Sequence, residues 1–383
     1  HRFNVFASAQ HINRDSYYGG GQDPNAYGNT TDLNWMAGSQ YVYSFGKCIF
    51  MPADLTAGIE FNQDKLEDNM WGYHRTVDQK VNIGSAFFQN EWKNEHWGFL
   101  IGGRLDKHNL IDHVIFSPRA NLRYNPTENI NLRFSYSSGF RAPQAFDEDL
   151  HVKNVGGNVA MVELADNLKE ERSQSLSASA DIYHRFGAFQ VNFLVEGFYT
   201  KLSDVFALTD GEVVDGILTR TRYNAPGARV MGLTLEGKMA YLTKFQVQAG
   251  VTLQQSHYSE PHVWNKEAPA VKKMMRTPNT YGYFTATYTP IKPLSIALSG
   301  TYTGSMLVPH EPVPGFLEKP ITVNTKDFFD IGLKAAYDFK LYKSMNLQVN
   351  AGVQNIFNAY QNDFDKGADR DSGYIYGPSL PRS

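Results

Sequence analysis

Period-two alternation runs through nearly the whole chain, and no stretch of about 18 apolar residues interrupts it. In the segment 294–303 the apolar set is Leu294, Ile296, Leu298 and Tyr302, against Ser295, Ala297, Ser299, Thr301 and Thr303. In 345–354 it is Met345, Leu347, Val349, Ala351 and Val353, against Asn346, Gln348, Asn350, Gly352 and Gln354. Such segments are amphipathic strands, and no helix of three or more turns competes with them. A helical membrane span is excluded. A membrane barrel is not, because a strand with one face in lipid and one in water averages out polar.

The polar face separates a soluble sandwich from a barrel. A face in bulk water is usually rich in Lys and Glu. Here it is mostly Ser, Thr, Asn, Gln and Gly, with a few charges such as Arg133, Asp181, Glu196, Glu236 and Lys238. Small neutral polar groups suit an enclosed wet interior. Charged residues are only 20% of the chain and aromatics reach 14%, with several aromatics (Tyr183, Tyr199, Tyr241, Tyr288, Tyr337, Phe339) near strand ends. A net charge of -3 gives no pull toward nucleic acid, and Cys48 alone allows no intrachain disulfide.

Connections alternate in kind, apart from a shorter one near 109–113. Short ones fall near 46–48, 93–95, 126–128, 186–187, 242–243, 290–292 and 341–343. Long polar stretches are expected near 12–31, 63–77, 141–170, 207–217, 259–277, 306–325 and 359–380. Tight turns at one end and long loops at the other mark an all-β, transmembrane antiparallel β-barrel. The count is about fifteen strands, with 218–241 read as one strand kinked at Asn224-Ala225-Pro226-Gly227. An odd, unclosed set leaves bare edges, so residues 1–383 are expected to be one barrel domain, incomplete at both ends.

At this point the motifs resemble those of TonB-dependent outer-membrane receptors. They are Tyr136-Ser137-Ser138-Gly139-Phe140-Arg141-Ala142-Pro143, then Asn167-Leu168-Lys169-Glu170-Glu171 and a descending strand. Near the other end stand Val353-Gln354-Asn355-Ile356-Phe357-Asn358, Tyr374-Ile375-Tyr376-Gly377-Pro378 and Pro381-Arg382. The kinked Arg222–Gly232 segment is similar too. The resemblance implies a barrel of about 22 strands around an N-terminal plug, with the plug, the TonB box and the closing strand outside these residues. It further implies a receptor in the cell outer membrane that imports a large scarce nutrient of the iron-siderophore, haem or cobalamin class. The implied partners are the TonB complex, reached through an N-terminal segment, the nutrient, outer-membrane lipid and a surface lipoprotein. It implies no enzyme and no resident cofactor. A passive porin and, further off, an outer-membrane barrel enzyme are the alternatives; an upstream plug or a Ser/His/acid cluster would tell them apart.

Candidate ligand contacts are aromatics on the outer loops, because flat ligands stack on exposed rings. Trp71, Tyr73, Trp264 and Tyr376 are the leading ones. Asp363, Asp365, Asp369 and Asp371 alternate in one loop and so form a weak calcium candidate. Gly367 falls at position 5, no Glu closes the loop, and Lys366 and Arg370 partly neutralise it, so a solvated or ion-paired loop is the reading preferred. Among loop histidines only His257 and His262 have metal-like spacing. Arg141 is expected to cap the rim by pairing with a carboxylate.

Overall fold

The computed structural model describes residues 1–17, 23–150, 153–155, 158–367, 369–378 and 381–382. Fifteen long strands are found among them. The first seven are β1 (Arg2–Tyr17), β2 (Tyr27–Cys48), β3 (Met51–Met70), β4 (Arg75–Lys93), β5 (Trp97–His108), β6 (Ile115–Thr127) and β7 (Ile130–Arg141). After a long loop come β8 (Glu171–Phe186), β9 (Phe189–Val214), β10 (Ile217–Tyr241) and β11 (Phe245–His262). The last four are β12 (Thr280–Ile291), β13 (Leu294–Thr303), β14 (Phe328–Tyr342) and β15 (Met345–Val353). Each pairs antiparallel with the next, which is a meander. Among the described residues β1 pairs only with β2 and β15 only with β14, so this barrel sheet is partial and not closed.

Register carries the two-faced pattern from strand to strand. Across β14 and β15 the pairs Leu333–Val353, Ala335–Ala351, Tyr337–Val349 and Phe339–Leu347 alternate with Lys334–Gly352, Ala336–Asn350, Asp338–Gln348 and Lys340–Asn346. Leu294, Ile296 and Leu298 of β13 stand opposite Tyr337, Ala335 and Leu333, extending the apolar face. Those residues are exposed or half-buried although apolar, as lipid-facing residues should be. On the other face, polar groups pair with one another. Arg104 reaches Glu60 at 2.8 Å and Asp106 at 2.7 Å, Ser85 donates to Asp106 at 2.6 Å, and Lys238 meets Glu236 at 2.8 Å.

The polar face is the concave one. Arg75 of β4 and Arg222 of β10, six strands apart, both reach the residue pair Asp149 and Leu150. Only an inward curve brings them together. There is accordingly no central apolar core. Small buried clusters sit at the loop end instead: Met70 with Met161, Ile111 with Ile115 and Ala142, and Met306 with Val308 and Tyr374.

Three expected long loops prove to be mostly strand. β1 and β2 stay paired to Tyr17–Tyr27, β3 and β4 to Met70–Arg75, and β9 and β10 to Val214–Ile217. The last hairpin turns on Asp215 and Gly216 alone, both at positive φ (51° and 77°), the backbone of a two-residue type I′ turn. Polar composition misled here because the ladder continues above the bilayer, where neither face needs to be apolar. The kink in β10 is found where expected. Gly227 has φ 146°, and a Cβ there would lie 2.6 Å from the Leu202 carbonyl oxygen, so only glycine fits without strain.

Candidate ligand-binding site

The loop between β7 and β8 folds back over the concave face. Its short helix, Asp147–Leu150, is held by Asp149, whose Oδ2 accepts the Phe146 N–H at 2.9 Å. The strand Asn158–Leu164 then lies parallel to Ile217–Arg222 of β10. This segment separates two cavities. One, of about 720 Å³, is lined by Tyr73 to Lys80, Pro143, Ala145 and Ile217. The other, of about 380 Å³, is lined by Arg141, Phe206, Arg220, Arg222, Tyr258, His262, Trp264 and Glu311; Asp149 and Val162 border both. Both lie in the range of small-ligand sites, ~300–1,000 Å³.

Arginines gather in the smaller cavity. Arg222 is bonded to Asp149, and both are almost fully buried. Asp149 and Leu150 offer their carbonyl oxygens to Arg75 at 2.7 and 3.5 Å; Arg75 in turn pairs with Asp68 at 3.0 Å, and Thr30 donates to Asp68 at 2.6 Å. Arg220 pairs with Glu311 at 2.7 Å, and Asn265 donates to the other Glu311 oxygen at 3.0 Å. The Arg141 guanidinium lies 4.0 Å from the Phe146 ring centroid and 5.5 Å from that of Phe206; its described contact is thus with rings. Phe206 is fixed by its backbone N–H, which donates to Glu171 at 2.9 Å. Among the described residues, three arginines and two carboxylates thus line one cavity.

Trp264 lines this cavity. It is 8% exposed, and its Nε1–H has no hydrogen-bond partner among the described residues. A buried donor left unmet costs about 1–3 kcal/mol, which a ligand acceptor would recover. Next to it, His262 packs at 4.9 Å from the Tyr258 ring, and burial holds its pKa below the ordinary value. Below the unfolded value of about 6.5, the unfolded chain binds the proton first, so acid should loosen this end of the molecule. Melting temperature should fall between pH 7.5 and 5.5, and His262→Gln should flatten that slope. An unchanged slope in the variant would assign the effect elsewhere.

The four aromatics singled out from sequence are not brought together. Trp71 sits at the β3–β4 tip, 63% exposed. Tyr73 donates its hydroxyl to Asp23, packs on Met70 and Met161, and borders the larger cavity. Tyr376 lies in the terminal loop against Phe328 and Tyr374, its hydroxyl donating to Asp363 at 2.6 Å. Burial and Asp363 push its pKa up. Of the four, only Trp264 lines the arginine cavity. Arg220, Asp149, Phe206 and Glu311 were not singled out as ligand contacts.

The four aspartates are engaged separately. Asp363 accepts from Tyr374 and Tyr376, and Asp365 pairs with His310 at 2.9 Å. Asp371 accepts the N–H groups of Glu311 and Gly373, and Asp369 is exposed. No group of three or more His, Cys, Asp or Glu side chains among the described residues is placed to hold a metal ion, and calcium needs 6–8 oxygens. His257 and His262 also part company: His257 shares the apolar-side register of β11, whereas His262 lines the cavity.

Comparison with known proteins follows from this geometry. No curated protein matches the chain in sequence. The ferric enterobactin receptor PfeA of Pseudomonas aeruginosa, as a point mutant, matches with a TM-score of 0.70 at 17% identity, covering 99% of this chain and 58% of that one. The siderophore receptor PirA of Acinetobacter baumannii gives 0.69 at 16% identity, with 99% and 59% covered. The ferric-catecholate import receptor Fiu of E. coli K12 gives 0.69 at 15% identity, with 99% and 60% covered. The fold is shared, and the chain spans about three-fifths of the length of these receptors. The family model for "TonB dependent receptor-like, beta-barrel" matches residues 2–356, the whole meander, and the chain belongs to that family, whose members are transport receptors rather than enzymes.

Proposed function

We propose that the chain is the larger part of the barrel of an outer-membrane receptor that captures an anionic ferric siderophore and imports it by TonB-coupled transport. The remaining strands, a plug and a TonB-engaging segment belong to the same proposal. The observation that carries it is the cavity in which Arg141, Arg220 and Arg222 meet Phe206, Tyr258 and the Trp264 N–H, which has no partner among the described residues. Guanidinium groups bind anions bidentately and stack on rings, so this lining suits a negatively charged aromatic chelate better than a neutral sugar. The names of PfeA, PirA and Fiu support the same ligand class.

The test is equilibrium binding of a ferric catecholate to the purified full-length receptor, read by tryptophan fluorescence. Trp264→Ala should weaken binding by about 2 kcal/mol, roughly thirtyfold, while Trp71→Ala should change it little. Trp264→Phe should recover the packing and not the hydrogen bond. Wild-type affinity in Trp264→Ala would remove this cavity from the binding path. Steady ion conductance through the wild-type protein in planar bilayers, without ligand or TonB, would favour a passive porin.

A further inference from the structure

The segment that follows β15 gathers a set of oxygens that chelate capture in the arginine cavity does not use. Gln361 builds it. Its side chain is 1% exposed, and its carboxamide ties the two arms of the segment together. Nε2 donates to the Tyr374 carbonyl at 3.0 Å, and Oε1 accepts the N–H groups of Tyr376 and Gly377 at 2.8 and 3.2 Å. The Gln361 N–H donates in turn to the Pro378 carbonyl at 2.8 Å. Tyr374 and Tyr376, on either side of the exposed Ile375, are thereby turned back toward Asp363.

The two phenol hydroxyls converge on one atom. Tyr376 donates to Asp363 Oδ2 at 2.6 Å, and Tyr374 donates to the same oxygen at 3.3 Å. Hydrogen bonding alone would be served better by one phenol on each carboxylate oxygen. The spacing is instead that of donors around a small cation. With metal–oxygen bonds of about 2.0–2.1 Å, neighbouring oxygens of an octahedral ion lie about 2.9 Å apart. The two separations bracket that value.

The surroundings hold these rings in place. His310, at the end of the hairpin strand Leu307–His310, stacks on Tyr374 with centroids 3.8 Å apart and planes 8° apart, and Asp365 holds its Nε2 at 2.9 Å. Phe328 lies 6.0 Å from the Tyr376 ring, and Arg276 donates to the Gly373 and Ile375 carbonyls. Such outer contacts orient the donors of a metal site. Tyr374 is 5% exposed, whereas Asp363 is exposed and leaves an approach from solvent.

Charge and donor type select the ion. Phenolate and carboxylate oxygens are hard donors, and a tyrosine oxygen serves as an iron ligand in catalase. Two phenolates and one carboxylate neutralise a trivalent cation and over-neutralise a divalent one. Burial and Asp363 raise the pKa of both hydroxyls, that of Tyr374 to about 12. A cation among the three oxygens reverses that balance, as bound metals do for thiols and water.

We infer that Asp363, Tyr374 and Tyr376 form a ferric-ion site separate from the arginine cavity. The ion takes one oxygen from each residue, the two phenol protons pass to solvent, and the iron stays ferric throughout. The other coordination positions stay with water or the delivering chelator, so the site takes iron that is not already wrapped in six donor atoms. It stands on these residues alone; its use to the cell rests on the iron-receptor reading.

The probe is ferric nitrilotriacetate, which leaves coordination positions open, titrated into purified full-length receptor free of catecholate. The wild type should develop a visible phenolate-to-iron charge-transfer band that saturates at one iron per chain. Tyr374→Phe/Tyr376→Phe keeps both rings and should abolish the band. Asp363→Asn should weaken iron binding roughly a hundredfold, the upper end of what losing a partner one shell further out costs. Excess gallium nitrilotriacetate should bleach the band, since gallium(III) is also hard and trivalent, whereas calcium and zinc should not. No band in the wild type overturns the site, as does a band that survives in the double variant or that calcium bleaches as readily as gallium. Trp264→Ala should keep the band, and its loss there would place the iron in the arginine cavity. A missing band with catecholate binding intact would count against the ferric site alone. Failed catecholate binding with the band intact would count against the receptor reading alone.

Discussion

Asp149→Ala should release the loop that roofs the arginine cavity. Asp149 is 2% exposed and Arg222 is 5% exposed, and the two are bonded to each other across the concave space. Removing one partner of a buried ion pair typically costs about 3–5 kcal/mol, because the remaining charge stays desolvated and uncompensated. The same carboxylate caps the Phe146 N–H, so the short helix Asp147–Leu150 loses its start as well. Arg75 would keep Asp68 but lose its fixed carbonyl partners once the helix moves. The cost is local. It should be read by hydrogen exchange of residues 142–164, where protection is expected to drop by two to three orders of magnitude or more while the strands remain protected. Protection unchanged within tenfold would mean that the loop is held by its apolar contacts, such as Met161 on Met70, and not by charge.

Much of the architecture was legible because a membrane sheet writes its two faces into the sequence at a fixed period. The grouping of Leu294, Ile296, Leu298, Leu347 and Val349 on one face needed only alternation, and register then carried it across β13 to β15. The kink at Gly227 was legible from Asn224-Ala225-Pro226-Gly227 for local reasons. Above the bilayer the rule lapses. Both faces of β9 and β10 are wet there, so strand and loop have similar compositions and the hairpin to Asp215–Gly216 was read as a loop.

The site was less legible, and distance is the reason. Arg220 and Arg222 are two apart on a strand, which puts both on one face by inspection. Their partners are Glu311 and Asp149, 91 and 73 residues away in sequence, and no local pattern selects those two among the other acidic residues. Trp71 and Trp264 look alike as loop tryptophans, yet one is 63% exposed and the other 8%. What separates them is that Trp264 lines a cavity together with Ala160, Val162 and Glu311, residues far from it in sequence, and that is a tertiary fact. The aspartate run shows the same limit: spacing could not reveal that Tyr376, His310 and the Glu311 N–H each claim a different carboxylate.

Neighbouring positions at mid-depth of β10 should respond in opposite ways to the same substitution. Leu235 stands between Val195 and Val251 on the apolar face, about six residues above the Tyr241–Phe189 aromatic pair that ends the strand. At about 45° tilt that rise places it near the bilayer midplane. Leu235→Arg should therefore cost about 2–4 kcal/mol of barrel stability. Thr234 points the other way, where its Oγ1 meets Thr252 Oγ1 at 3.0 Å on a face that already holds Glu236 and Lys238. Thr234→Arg gives up that hydrogen bond, worth about 1 kcal/mol, but its charge has water and Glu236 within reach of the same face. The measurement is urea unfolding of the full-length protein folded into bilayers, with both variants compared to wild type. Equal penalties at 234 and 235 would mean that both faces meet a similar solvent, and that would contradict a sheet with lipid on one side and a wet interior on the other. A larger penalty at Thr234 would be harder still to reconcile with a barrel, since it would place the crowded, dry side where the polar ladder is. The expected ordering follows from register and depth alone, so it holds whichever ligand the arginine cavity takes.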